Sequence, residues 1–184
     1  MAQGSAGNVN STLRESALLK VFDQADLWVR RTNDVGWKGN DIYFEGPLAA
    51  QTRETPIRPT ETAAFNVRVQ NDSERSRELT VKAVASGDPG WQVTYQQGAT
   101  DISAVITGPR MNVGTLASGA YVDLTVTLRG TNALDSGSRR EIVFTGKALG
   151  ATNGADTVMV AAEVLNEIIV NSTRDEPDAR LSTR

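Results

Sequence analysis

Between Thr62 and Asp72 the sequence runs TAAFNVRVQND, with Phe65, Val67 and Val69 alternating against Asn66, Arg68 and Gln70. A period of two is the signature of an extended strand with one buried face, because successive side chains point to opposite sides of the backbone. The Asn71-Asp72 pair that follows is a turn signal. The same period returns at Glu78–Ala85, at Trp91–Gln96 and, most cleanly, at Tyr121–Arg129, where Val122, Leu124, Val126 and Leu128 alternate with Asp123, Thr125, Thr127 and Arg129. Arg140–Leu149 carries Ile142 and Phe144 on one face, and Asp156–Val164 carries Val158, Val160, Ala162 and Val164. Turn clusters separate these runs at Ser86-Gly87-Asp88-Pro89-Gly90, Gly108-Pro109 and Gly150–Asp156. Shorter strands are expected at Asp26–Arg30 and Asp101–Ile106. Gln51–Thr60, which holds Pro56 and Pro59, reads as an edge or kinked strand, since proline cannot donate to a ladder. About seven to nine strands with frequent turns predict an all-β, antiparallel sandwich. Its expected core is Phe65, Val67, Val69, Leu79, Val81, Trp91, Val122, Leu124, Val126, Phe144, Val158 and Val160.

Composition narrows the function. The chain has 184 residues, no histidine and no cysteine. That removes thiolate nucleophiles, disulfides, His/Cys zinc sites and any Ser-His-Asp arrangement, and no catalytic residue and no cofactor are assigned. A net charge of −3 gives no electrostatic case for nucleic acid, whose phosphates call for a basic surface. No run reaches the roughly 18 apolar residues of a membrane span. The opening MAQGSAGNVN lacks the basic and apolar regions of a secretory signal, so no signal peptide is read in this sequence.

The sandwich is expected over residues 25–164, with an N-terminal arm at 1–24 and a C-terminal arm at 165–184. Residues 1–12 are rich in Gly, Ser and Asn, after which Leu13, Ala17, Leu18 and Val21 fall at the spacing of a short amphipathic helix. Leu13, Leu18, Leu19, Val21 and Phe22, and in the other arm Ile168, Ile169 and Val170, are apolar groups outside the two-residue pattern. They are the candidate assembly contacts, toward copies of the same chain or structural proteins of a larger particle.

The connection RTNDVGWKGNDIYFEG at 31–46 carries three aromatics, Trp37, Tyr43 and Phe44. They either plug the end of the sandwich or face a ligand such as a carbohydrate. Carboxylates at Asp23 and Asp26, and at Asp34, Asp41 and Glu45, match no calcium-loop spacing, and no metal site is assigned. Arg75 with Arg77, and Arg139-Arg140, read as small basic groups solvated at turns.

The segments DLWVRR at 26–31, GNDIY at 39–43, TAAFNVRVQND at 62–72, PGWQVTY at 89–95, DISAVITG at 101–108 and VGTLASGAYVDLTVTL at 113–128 resemble, in pattern and order, the immunoglobulin-like modules of bacterial cell-surface proteins. That group includes cell-adhesion-related and NEW3-type domains. The resemblance implies an immunoglobulin-like sandwich with a structural role and transfers no active-site residue. Domains of this kind also decorate phage capsids and tails. The leading expectation is a non-enzymatic structural subunit that assembles through its arms, on a virion or at the cell surface. The alternative is a carbohydrate-binding or adhesion module of a bacterial surface protein.

Overall fold

The computed structural model describes residues 24–165, and both arms apart from Gln24 and Leu165, with all their candidate assembly residues, lie outside them. Two five-stranded sheets face one another. The first, sheet A, has the order β1-β3-β8-β5-β6, built from β1 (Ala25–Arg31), β3 (Thr62–Asn71), β8 (Tyr121–Gly130), β5 (Trp91–Gln97) and β6 (Thr100–Asp101). The second, sheet B, has the order β2-β10-β9-β4-β7, from β2 (Thr52–Ile57), β10 (Asp156–Val164), β9 (Arg139–Ala148), β4 (Arg77–Gly87) and β7 (Met111–Leu116). The described residues thus hold ten strands, one of them only two residues long.

The alternation selects the core. In β3 every second residue from Ala63 to Asn71 is buried, and in β8 Leu124, Val126 and Leu128 are buried opposite them. From sheet B, Leu79, Val81, Ile142, Phe144, Val158 and Val160 meet that layer, all fully enclosed. Ten of the twelve expected core residues are buried, and the other two, Trp91 and Val122, pack half-buried against the same cluster. Tyr95 and Phe144 close the centre edge to face, with ring centroids 6.0 Å apart. Asn71 caps the alternation with a polar group whose amide donates to the carbonyls of Arg75 and Leu116 while its oxygen accepts from Ser73 N. A buried amide is tolerated there because its hydrogen-bonding capacity is used.

Three features depart from the simplest reading. The pairing of β2 with β10 is parallel, Thr52 beside Met159 through Ile57 beside Val164, whereas the other ladders are antiparallel. The chain crosses from sheet A to sheet B between β1 and β2, so β2 enters running alongside β10. Pro56 sits in this edge strand, as its missing N–H requires. The run at 101–106 is not one strand: β6 ends at Asp101, and Ser103–Ile106 forms a helical turn, α1, that buries Ile102 and Ile106. The Asp101 carboxylate accepts Ser103 N at 2.8 Å and sets the start of that turn. Finally, Arg139 and Arg140 lie within β9, not in a turn.

Candidate interaction surface

Strand register gathers one set of side chains on the outer face of sheet A. Trp28 of β1 is paired with Arg68 of β3, and Arg68 with Asp123 of β8, so all three lie in one row across three strands. Arg68 Nε and Nη2 donate to the two Asp123 oxygens at 2.8 and 2.9 Å. This fork fixes the guanidinium plane. The guanidinium lies among three rings: its carbon is 3.5 Å from the centroid of Tyr121, 4.6 Å from Trp37 and 5.3 Å from Trp28. Arg30 adds a second cation, 4.4 Å from the Trp37 ring, and the two tryptophans meet edge to face at 6.2 Å. The hydrogen bonds that Arg68 donates to Asp123 hold its proton, raising an already high pKa against the opposing effect of burial. Both tryptophans are half-buried and Tyr121 is half exposed, so the edges and outer faces of this cluster meet solvent.

Trp37 reaches that face because the connection at 32–51 is folded back along β1. Val29 and Lys38 exchange backbone hydrogen bonds at 2.8 and 2.9 Å, extending the sheet by a bridge on the free side of β1. Gly39 follows with φ +102°, and a Cβ there would collide with the Leu27 carbonyl. Only glycine suits the turn.

Two buried aspartates hold the rest of the connection. Asp156, at the start of β10, is fully enclosed and accepts Leu27 N at 2.7 Å, Thr157 N at 2.8 Å, Phe44 N at 3.2 Å and Gln51 Nε2 at 2.7 Å. One carboxylate thus ties β1, the loop and the 3₁₀ turn at Ala49–Gln51 to sheet B. Burial pushes its pKa up to about 7 against the pull of the backbone donors, and the charge of Asp26 adds to the rise. Asp26, on β1, is enclosed as well and accepts Trp28 Nε1–H and Asp41 N. Burial lifts its pKa to about 6, opposed by those two donors and aided by the charges of Asp72 and Asp41. Asp26 Oδ1 and Gln51 Oε1 are buried without a hydrogen-bond partner.

The three loop aromatics therefore have separate environments. Trp37 joins the Arg68 cluster; the Tyr43 hydroxyl is bonded to Asp72 and lies 3.3 Å from Asp41 Oδ1; the Phe44 ring is half exposed while its backbone is clamped by Asp156 and Thr157. The acids scatter too. Asp34 pairs with Arg31 at 3.0 Å and Arg53 at 3.3 Å, Asp41 sits beside Asp26, and Glu45 is exposed. Asp23 lies outside the described residues. Among the described residues no group of three His, Cys, Asp or Glu side chains is placed to hold a metal ion, and no helix is long and apolar enough to cross a membrane. The alternating pattern around Arg68 and Asp123 placed both on a solvent face. Their register with Trp28, and the fold-back of Trp37, are tertiary facts that no local signal carries.

No protein-family model matches the sequence, and no curated protein matches it at a significant level. Among solved structures the chain is similar to the N-terminal domain of PorA, with 16% identity over 75% of this chain and 96% of that one, TM-score 0.45. The CARDB domain of a Pyrococcus furiosus protein, solved in complex with di-metal ions, is 14% identical over 79% of this chain and 96% of its own, TM-score 0.39. A family 123 glycoside hydrolase from Clostridium perfringens is 8% identical over 78% of this chain, TM-score 0.46, and the chain spans 27% of its length. Likeness at these levels carries neither ligand nor activity across. What the two facing sheets and their ladders establish is the architecture, an all-β sandwich of immunoglobulin-like kind.

Proposed function

We propose that this chain is a non-enzymatic structural module that joins a larger protein assembly, a virion component or a surface filament, and that the outer face of sheet A is one of its protein contacts. The observation that carries the reading is the cluster of Trp28, Trp37, Tyr121, Arg30 and Arg68, a combination of side chains that dominates binding energy at protein interfaces. Its rigidity supports the same role. Arg68 is locked by Asp123 and by three rings, so little side-chain freedom remains to be lost on docking. The absence of histidine and cysteine from the sequence supports the non-enzymatic part. The arms, with Leu13, Leu18, Leu19, Val21 and Phe22 on one side and Ile168, Ile169 and Val170 on the other, supply the remaining contacts to copies of the chain or to other structural proteins. A virion or a cell surface is the setting this role calls for.

The test is the double substitution Trp37→Ala/Tyr121→Ala, followed by light scattering and by sedimentation against assembled material. The module should stay folded and lose association. Unchanged particle size in a folded double variant would refute the outer face as a contact.

A further inference from the structure

The two long sides of the sandwich are closed differently. The 32–51 connection lies over the side where β1 meets β2, whereas on the side where β5 faces β4 there is a cleft of about 430 Å³ with α1 at its rim. Its walls are Ala85, Val93, Trp91 and Tyr95, its polar rim Ser103 and Thr107, and at one end stands Arg140. The volume lies within the range of small-ligand sites.

Arg140 is the informative residue. Its neighbour Arg139 points to the opposite side of β9 and meets three carboxylates, Glu54, Glu141 and Glu163, at 2.5, 2.8 and 3.6 Å. Arg140 is given no carboxylate among the described residues. Its Nη1 donates to the carbonyls of Gly87 at 3.3 Å and Asp88 at 3.2 Å, and its buried Nε–H has no partner. The indole N–H of Trp91 is likewise buried and unpaired. Hydrogen bonds to carbonyls orient a guanidinium without neutralising it, so a cation faces a half-apolar cleft with its counter-charge missing. Tyr95 lies close enough to feel that charge, which works against the burial that pushes its phenol up to about 12.

We infer that this cleft binds a carboxylate-bearing sugar, with Arg140 taking the carboxylate, the Trp91 ring covering a C–H face of the pyranose, and the Thr107 hydroxyl meeting a ring hydroxyl. The Ser103 oxygen accepts Tyr95 N at 3.1 Å, and its hydroxyl hydrogen goes to the Asp101 carboxylate at the rim. Thr107 donates its hydroxyl hydrogen to the Ser103 carbonyl at 2.7 Å, leaving the Thr107 oxygen to accept. The Thr107 oxygen can accept from a sugar hydroxyl, and the uncompensated arginine selects an acidic sugar over a neutral one.

The experiment titrates the full chain with glucuronic acid, glucose and acetate, following amide and indole resonances by nuclear magnetic resonance. Glucuronic acid should saturate, with shifts at Trp91, Tyr95 and Ser103–Thr107, and should bind about tenfold or more tightly than glucose or acetate, the amount a single charge-assisted contact provides. Arg140→Gln should remove that preference. Thr107→Trp, at an exposed position on the rim, should block binding with the fold intact and serves if the arginine variant does not fold. Lack of saturation by glucuronic acid, equal binding of glucose, equal binding of acetate, or full binding by the folded Thr107→Trp variant would each overturn the assignment. None of these outcomes bears on the outer face of sheet A, whose test is association.

Discussion

Leu124, at the middle of β8, is almost wholly buried and is paired with Val67 of β3, so its truncation leaves a void that the rigid ladder beside it cannot collapse into. Leu124→Ala should cost about 2–5 kcal/mol in denaturant unfolding, with no change in secondary structure by circular dichroism. Gly39 is sensitive for a different reason: Gly39→Ala meets both an unfavourable φ and the Leu27 carbonyl, and should destabilise the protein although it adds only a methyl group. At this scale much was legible. The side to which Leu124, Val126 and Phe144 point follows directly from the alternation. Asp156 was not legible, because an aspartate beside a turn looks solvated in sequence. The groups that make it structural, Leu27 N, Phe44 N and the Gln51 amide, lie more than a hundred residues away.

Among the elements, the 32–51 connection is the most dependent on single contacts. Asp156→Asn keeps the shape but replaces one acceptor oxygen with a donor, which cannot satisfy the Leu27, Phe44, Thr157 and Gln51 donors together. The expected outcome is a loss of about 1–3 kcal/mol, with faster amide exchange at Val29 and Lys38, where the connection is hydrogen-bonded to β1. Unchanged exchange at those two amides would show that the clamp is dispensable. The regular strands were legible in outline because each is a half-buried ribbon. The helical turn α1 was not, although Ile102 and Ile106 stand four apart and Asp101 precedes Ser103, a helical spacing with its starting residue. Four residues are too few to separate that pattern from a strand. The two arginines of β9 failed as a turn prediction for a related reason: adjacent residues of a strand face opposite ways, so one found carboxylates and the other the cleft.

For the molecule as a whole, titration should show a stability maximum in weak acid. Asp26 and Asp156 have folded pKa values of about 6 and about 7, above the ordinary 3.8, so the folded state holds more protons than the unfolded one between those limits. Their contribution is complete below pH 3.8 and is lost as pH rises through 6 to 7, on the order of a few kcal/mol. Asp34, Glu54 and Asp101 are shifted the other way, Asp34 by the Arg31 and Arg53 contacts, Glu54 by Arg139 and Asp101 by Ser103, against burial. Their contribution is present above the ordinary carboxylate values and is lost as pH falls through the lowered ones. Thermal unfolding should therefore peak at about pH 4 and decline from there to about pH 7, and in Asp156→Asn that decline should shrink. A curve still rising from pH 6 to 8 in the parent protein would contradict the buried-acid account. Deleting residues 1–23 and 166–184 should leave this curve in place while abolishing association. A deletion that unfolds the sandwich would assign the arms to its packing instead.

The parallel partnership of β2 with β10 has a mechanical meaning. Gln24 is hydrogen-bonded to Asp72 and Ser73 at one pole, whereas Leu165 is hydrogen-bonded to Ile57 and Val164 to Gly137 and Ser138 at the other. The chain thus enters and leaves at opposite poles, separated by the nine residues of β10, roughly 30 Å at strand rise. Tension applied through the two ends runs along β10, which is flanked by β2 on one side and β9 on the other. Pulling at the C-terminal end must shear the two ladders of β10, and at the N-terminal end the ladder of β1 with β3, rather than unzip hydrogen bonds one by one. Load applied through the two ends of the sandwich is in this way carried along its strands.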